Sequence, residues 1–195
     1  DVPRSKGQEA FDIETAKDLQ VWNTTGRGML DTSIQKLSEA EKILARASKR
    51  GGVGVSGPTI GVVPDKLLPF VSEDALNVKQ LVQYVAALDL RQVLGGQFAF
   101  MEGENLLKRT YDPSLPEETN LRRIRLLISQ LKKAGLSRER ALEYFQNNNG
   151  SMAGYKGKMF THPSELMTPK DLAGIDKEVN QKPSLKKMNK DVVPK

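Results

Sequence analysis

The chain has 195 residues, 38% of them apolar and 28% charged, with a mean hydropathy of −0.47, so it is long enough for one or two domains but carries a modest core. It contains no cysteine, which excludes a disulfide framework, thiol catalysis and any cysteine-based zinc or iron–sulfur site. Lys and Arg number 30 against 24 Asp and Glu, leaving +6 at pH 7, a balance that suits an acidic or nucleic-acid partner without requiring one.

No apolar run approaches the ~20 residues that span a bilayer. The opening Asp1-Val2-Pro3-Arg4 has neither an initiator Met nor the apolar centre of a signal peptide, so the chain is expected to have been trimmed, processed or cut from something longer. Residues 1–8 read as a polar lead-in. Phe11, Ile13, Ala16, Leu19 and Trp22 then recur at helical spacing, and Thr24-Thr25-Gly26-Arg27-Gly28 is expected to interrupt the helix. The stripe resumes through Met29, Leu30, Ile34, Leu37, Ala40, Ile43, Leu44 and Ala47, predicting a helix over roughly 29–49. Lys49-Arg50-Gly51-Gly52 supplies its stop signal, and Gln35, Lys36, Glu39, Lys42 and Arg46 make a solvated face. Residues 1–50 are thus expected to be a helical arm, its narrow stripe laid against the core or another chain.

Residues 51–71 are rich in Gly and Pro. Gly52, Gly54 and Gly57 match the G-x-G-x-x-G spacing of dinucleotide sites, but a basic helix precedes them where a strand is needed, and Pro58 follows. No cofactor is predicted. The segment is expected to be extended, turning at Pro58, Pro64 and Pro69. Val53, Val55, Ile60, Val62 and Val63 make it too apolar for a free linker, so these residues are candidates for contact with a partner.

Residues 72–150 are expected to form a small helical bundle. Ser72 caps a helix running to Leu94, with Glu73 and Asp74 in the first turn and an apolar face wide enough for a central position. Gly95-Gly96 end it, and a short helix from Glu102 to Arg109 follows. Tyr111-Asp112-Pro113 sets a turn, with the tyrosine ring expected to pack on the bundle. Ser114-Leu115-Pro116-Glu117 reads as a capping box for a helix closed by Gly135, after which Ser137 caps another that stops at Asn147-Asn148-Asn149-Gly150. Arg122, Arg123, Arg125, Lys132 and Lys133 flank the first of these two helices and are candidates for binding nucleic-acid phosphates.

Residues 151–195 lose periodicity. His162-Pro163 and Thr168-Pro169 each predict a single helical turn, with His162, the lone histidine, at the surface or in a cap. From Gly174 onward lysines accumulate, and the segment is expected to be a poorly structured basic tail held by a partner, with Leu185 a candidate contact. The fold class is therefore mainly α, a small bundle between an extended Gly/Pro-rich arm and this tail.

Leu94-Gly95-Gly96-Gln97-Phe98, Glu102-Gly103-Glu104, Tyr111-Asp112-Pro113-Ser114-Leu115, Asn120 and Arg122-Arg123-Ile124 together resemble a signature of tailed-bacteriophage virion proteins of the internal, DNA-transfer (ejection) type. Tyr144-Phe145-Gln146-Asn147, Gly150-Ser151-Met152 and Gly154-Tyr155-Lys156-Gly157 are similar to the coda of the same proteins, so the resemblance covers roughly residues 76–157. It implies a non-enzymatic structural protein of the virion, near the portal, tail or internal core, released or used during genome delivery. It also implies other virion proteins as partners and assembly as a ring of identical copies.

Physically the signature is scaffolding: Gly95-Gly96 permits a corner that Phe98 fills, Gly103 allows close helix approach, and Asn120 bonds across the Asp112-Pro113 turn. The alternative is a basic protein that contacts phage DNA non-specifically through phosphates. An enzyme is the weakest reading, because Glu102/Glu104 and Glu117/Glu118 diverge on their helices where glycosidase chemistry needs two facing carboxyls. Neither a catalytic residue nor a metal ligand is predicted.

Overall fold

Ser5 accepts a hydrogen bond from the Gln8 backbone N–H at 3.2 Å and starts the first helix, α1 (Lys6–Val21). The computed structural model describes residues 5–50, 54–64, 66–85, 90–95 and 100–181. Helix does not break at the Thr-Thr-Gly run. Trp22–Gly26 form one π-helical turn that leads straight into α2 (Arg27–Arg50). The Thr24 hydroxyl donates to the Gln20 carbonyl at 2.9 Å and the Thr25 hydroxyl to the Val21 carbonyl at 3.0 Å, so side chains supply donors where the widened ladder needs them.

The apolar stripe expected on α1 is also turned. Asp12, Thr15, Leu19 and Trp22 point inward, whereas Phe11 and Ile13 are 45% and 59% exposed. Polar docking sets this rotation: Asp12 accepts the Met152 backbone N–H at 2.9 Å, and Asp18 pairs with Arg138.

The centre belongs to α2 and α8 (Glu117–Asn147), which pack on each other along their length. Helix α8 runs through Gly135, where the sequence predicted a stop, and Ser137 lies mid-helix. A Cβ at Gly135 would overlap the Leu30 side chain, so this glycine lets Leu30 of α2 close on α8. Glycine's mid-helix cost of about 1 kcal/mol is offset by that closer packing. The predicted capping box at the start of α8 is absent as well. Asp112 takes both the amide and the hydroxyl of Ser114, and Pro116 occupies the cap position.

Residues 54–71 are no extended arm. They contain two single helical turns, α3 (Pro58–Gly61) and α4 (Leu68–Val71), and lie on the bundle. Val55 and Ile60 are 1% and 3% exposed, buried in the same hydrophobic cluster as Leu37, Leu44, Ile124 and Leu127. Both are thereby withdrawn as partner contacts: their apolar surface is already covered by their own chain. Val63 packs on the cluster in part, Val62 alone is 81% exposed, and Val53 lies outside the described residues.

Helix α5 (Glu73–Tyr84) begins as predicted, with Ser72 Oγ accepting the Ala75 N–H at 3.2 Å, and packs on α2. Helix α6 (Leu90–Leu94) ends at Gly95, whose φ of +72° suits glycine. Of the helix expected over 72–94, Glu73–Tyr84 and Leu90–Leu94 are helical and residues 86–89 lie outside the described residues; the central pair is α2 and α8. Helix α7 (Phe100–Thr110) precedes the Tyr111 turn. Asn149 and Gly150, at φ of 52° and 69°, close α8 in the left-handed cap the sequence predicted. A short 3-10 turn (Pro163–Glu165) leads to α9 (Pro169–Gln181), a 13-residue helix where a single turn was expected. Leu185 and the rest of 182–195 lie outside the described residues. Among the described residues there is no strand, and the fold is mainly α, a helical bundle.

Candidate functional site

Of the residues that carry the resemblance, Tyr111, Asp112 and Asn120 meet at one joint of the bundle and Gly95 lies at a second, while Gly96, Gln97 and Phe98 lie outside the described residues. At the first, Asn120 is fully buried on the first turn of α8. Its carbonyl oxygen accepts the Asp112 N–H at 3.0 Å, and its amide donates to the Asp112 carbonyl at 2.8 Å and the Leu115 carbonyl at 3.3 Å. One side chain thereby satisfies a turn whose backbone has no helix or strand to pair with. Tyr111 packs down as expected and donates its hydroxyl to the Val55 carbonyl at 3.1 Å, while Glu117 accepts the Val55 N–H at 2.8 Å. Burial, reinforced by the nearby Asp112 and Glu117 carboxylates, pushes the Tyr111 phenol upward and keeps it neutral.

At the second joint Arg138 is 1% exposed. Its guanidinium pairs with the Asp18 carboxylate, donates to the Asp18 carbonyl at 3.3 Å, and lies between the rings of Trp22 and Phe160, each centred 5.5 Å away. Gly95 faces the same guanidinium, and any Cβ there would strike it. Beside this joint the Trp22 indole N–H donates to Glu139 at 3.0 Å, and Arg27 pairs with the same carboxylate. The Arg27 hydrogen bond holds Glu139 below the usual carboxylate range, against the opposing effect of partial burial, and Glu139 in turn raises Arg27. Sequence reading missed Arg138, because Ser137-Arg138-Glu139-Arg140 has the composition of a solvated helix face.

The arginines proposed for phosphate contact are committed within the chain. Arg122 bonds Glu118 at 2.9 Å and pairs with Glu178 of α9. Arg123 is 8% exposed, 3.8 Å from Asp176, and Arg125 bonds Glu41 of α2 at 2.8 Å. Lys132 and Lys133 are exposed, but Lys132 borders the Arg27–Glu139 pair and the Leu30 and Leu136 side chains. The five residues therefore do not form one cationic surface.

Of the carboxylates singled out in the sequence, Glu102, Glu117 and Glu118 each have a different neighbour. Glu117 holds Val55, Glu118 holds Arg122, and Glu102 lies 3.4 Å from His162. His162 Nδ1 accepts the Ser164 N–H at 3.3 Å, the capping role expected of it. Asp171 takes the Thr168 hydroxyl at 2.8 Å, which with the Thr168 backbone and Gln130 holds it below the usual carboxylate range against burial. Among the described residues no three His, Asp or Glu side chains are grouped as a metal site would require, and no helix is long and apolar enough to cross a membrane.

Known families, curated proteins and solved structures contain no match to this chain.

Between α2 and α5 lies an open groove of about 530 Å³, bordered by Lys36, Lys42 and Arg46 with Glu39, and floored by Ile43, Leu81 and Tyr84. The Lys36 ammonium lies 4.2 Å from the centre of the Tyr84 ring. Sequence reading placed Lys36, Glu39, Lys42 and Arg46 on an ordinary solvated face, because their meeting with α5 is a tertiary event.

Proposed function

We propose that this chain is a non-enzymatic structural component of a tailed-phage virion, docked on portal, tail or internal subunits and assisting genome retention or delivery. The observation that carries the reading is the use made of the signature residues: Tyr111, Asp112 and Asn120 hold a turn, Arg122 and Arg123 tie α8 to α9, and Gly95 makes room for Arg138. A pattern of residues spent on joints is what a scaffold needs. Docking in this reading falls to the bundle's surface, to which Val62, Leu67 and Val71 contribute, and not to Val55 and Ile60, which are committed inside. Assembly as a ring of identical copies follows from the position near a portal that the resemblance implies.

The alternative, non-specific contact with phage DNA, would have to use Lys132, Lys133 and the lysines after Gly174, because Arg122, Arg123 and Arg125 already face carboxylates. Quantitative mass spectrometry of purified particles tests the main proposal. A fixed copy number per genome is expected. A chain abundant in infected cells but absent from particles would overturn it.

A further inference from the structure

The α2/α5 groove differs from the arginine flank of α8, where Arg122, Arg123 and Arg125 each face a carboxylate. Lys42 and Glu39 make no side-chain hydrogen bond or ion pair among the described residues, and Arg46 only reaches back to the Lys42 carbonyl at 3.2 Å. The amides of Asn77 and Gln80, on the α5 wall, make no side-chain hydrogen bond among the described residues either. Three cations against one carboxylate stand along about ten residues of α2, which is roughly 15 Å or three turns of helix. Beneath them the floor is apolar, from Ile43 and Leu81 to Tyr84, which is 41% exposed.

We propose that this groove is a docking site for an acidic amphipathic segment of a partner protein. Apolar side chains at helical spacing would seat on Ile43, Leu81 and Tyr84, while carboxylates met Lys36, Lys42 and Arg46 at the rim. Asn77 and Gln80 offer donors and acceptors to the flank of such a segment. A nucleic-acid strand fits less well. It would find one aromatic ring, already faced by an ammonium, and Glu39 would stand among its phosphates. The inference rests on this chain's own side chains and stands apart from the virion reading: particle content tests that one, and peptide binding tests this one.

The experiment is fluorescence anisotropy of a labelled peptide of about 18 residues, glutamate-rich with leucines at i, i+3, i+4 and i+7, titrated with the full chain at ~0.1 M salt. Saturable binding is expected. The exposed double substitution K42E/R46E is expected to weaken it by about tenfold or more, and E39K to tighten it by several-fold. Opposite responses to opposite charge changes cannot come from misfolding. A peptide of the same composition with its leucines scattered is expected to bind more weakly, because the floor would then be unfilled. The proposal is overturned if neither peptide binds, or if binding ignores the charge substitutions. It is also overturned if oligo-thymidine of equal length binds more tightly with the same pattern of responses, which would make the occupant a nucleic acid.

Discussion

Two basic stretches of this bundle, the arginine flank of α8 and the lysine rim of α2, have opposite fates. On α8, Arg122, Arg123 and Arg125 each reach a carboxylate supplied from α8 itself, α9 or α2. On α2, Lys36, Lys42 and Arg46 border a groove holding Glu39 alone among acids. The difference teaches that the number of cations on a helix face says little about its use. What decides is whether the tertiary neighbours bring carboxylates to meet them, and such neighbours lie up to 84 residues away in the chain.

The comparison breaks most visibly where a matched charge is deepest. Replacing Arg138 by Met leaves Asp18 without its cation and opens the Trp22–Phe160 sandwich, and is expected to cost about 3–5 kcal/mol in urea unfolding. Asn120→Ala strands the Asp112 N–H and its carbonyl and should cost about 2–3 kcal/mol by the same measurement. Tyr111→Phe, which removes a single donor from the Val55 carbonyl, should cost about 1–2 kcal/mol. An unchanged midpoint for any of these would mean that the joints are not holding the fold.

Acid sharpens the same contrast. Glu139 has a folded pKa below its unfolded value, so the unfolded chain binds the extra proton first, and the stability this pair contributes is present above about pH 4.3 and lost as pH falls through the folded value. Glu139→Gln should therefore flatten the acid limb of a stability–pH curve relative to the parent chain. Tyr111 works the other way: its raised pKa makes stability fall as pH rises past about 10, where the unfolded phenol ionises first. The smallest effect is expected at the groove, where K42E/R46E should shift stability by no more than about 0.5 kcal/mol, since the only bond lost is the exposed one from Arg46 to the Lys42 carbonyl.

Much of the local structure was legible in the sequence. Ser72 as a cap, the Asp112-Pro113 turn with Asn120 across it, and the left-handed stop at Asn149-Gly150 are each set by a few adjacent residues. What escaped reading depended on residues far apart. Gly135 has the look of a stop until the Leu30 side chain is seen to occupy the place of its missing Cβ. Thr24-Thr25-Gly26 has the look of a break, yet the two hydroxyls complete a π turn that carries Trp22 to Glu139. Val55 and Ile60 belong to a Gly/Pro-rich stretch whose backbone groups would be costly to bury alone; Tyr111, Pro113 and Glu117 satisfy them from across the fold. The groove was illegible for the same reason, since Lys36 and Tyr84 are 48 positions apart by their numbering and meet only when α2 and α5 pack.

Whether the chain's polar signature truly locks residues 54–64 to the bundle can be measured by amide hydrogen exchange on the isolated protein. Protection of Val55, Gly57, Asp112 and Met152 comparable to that of α8 is expected, because their N–H groups end on Glu117, Pro113, Asn120 and Asp12. Exchange of Val55 and Gly57 at the rate of a free peptide, with α8 still protected, would contradict the account and return this stretch to the role of a detached arm.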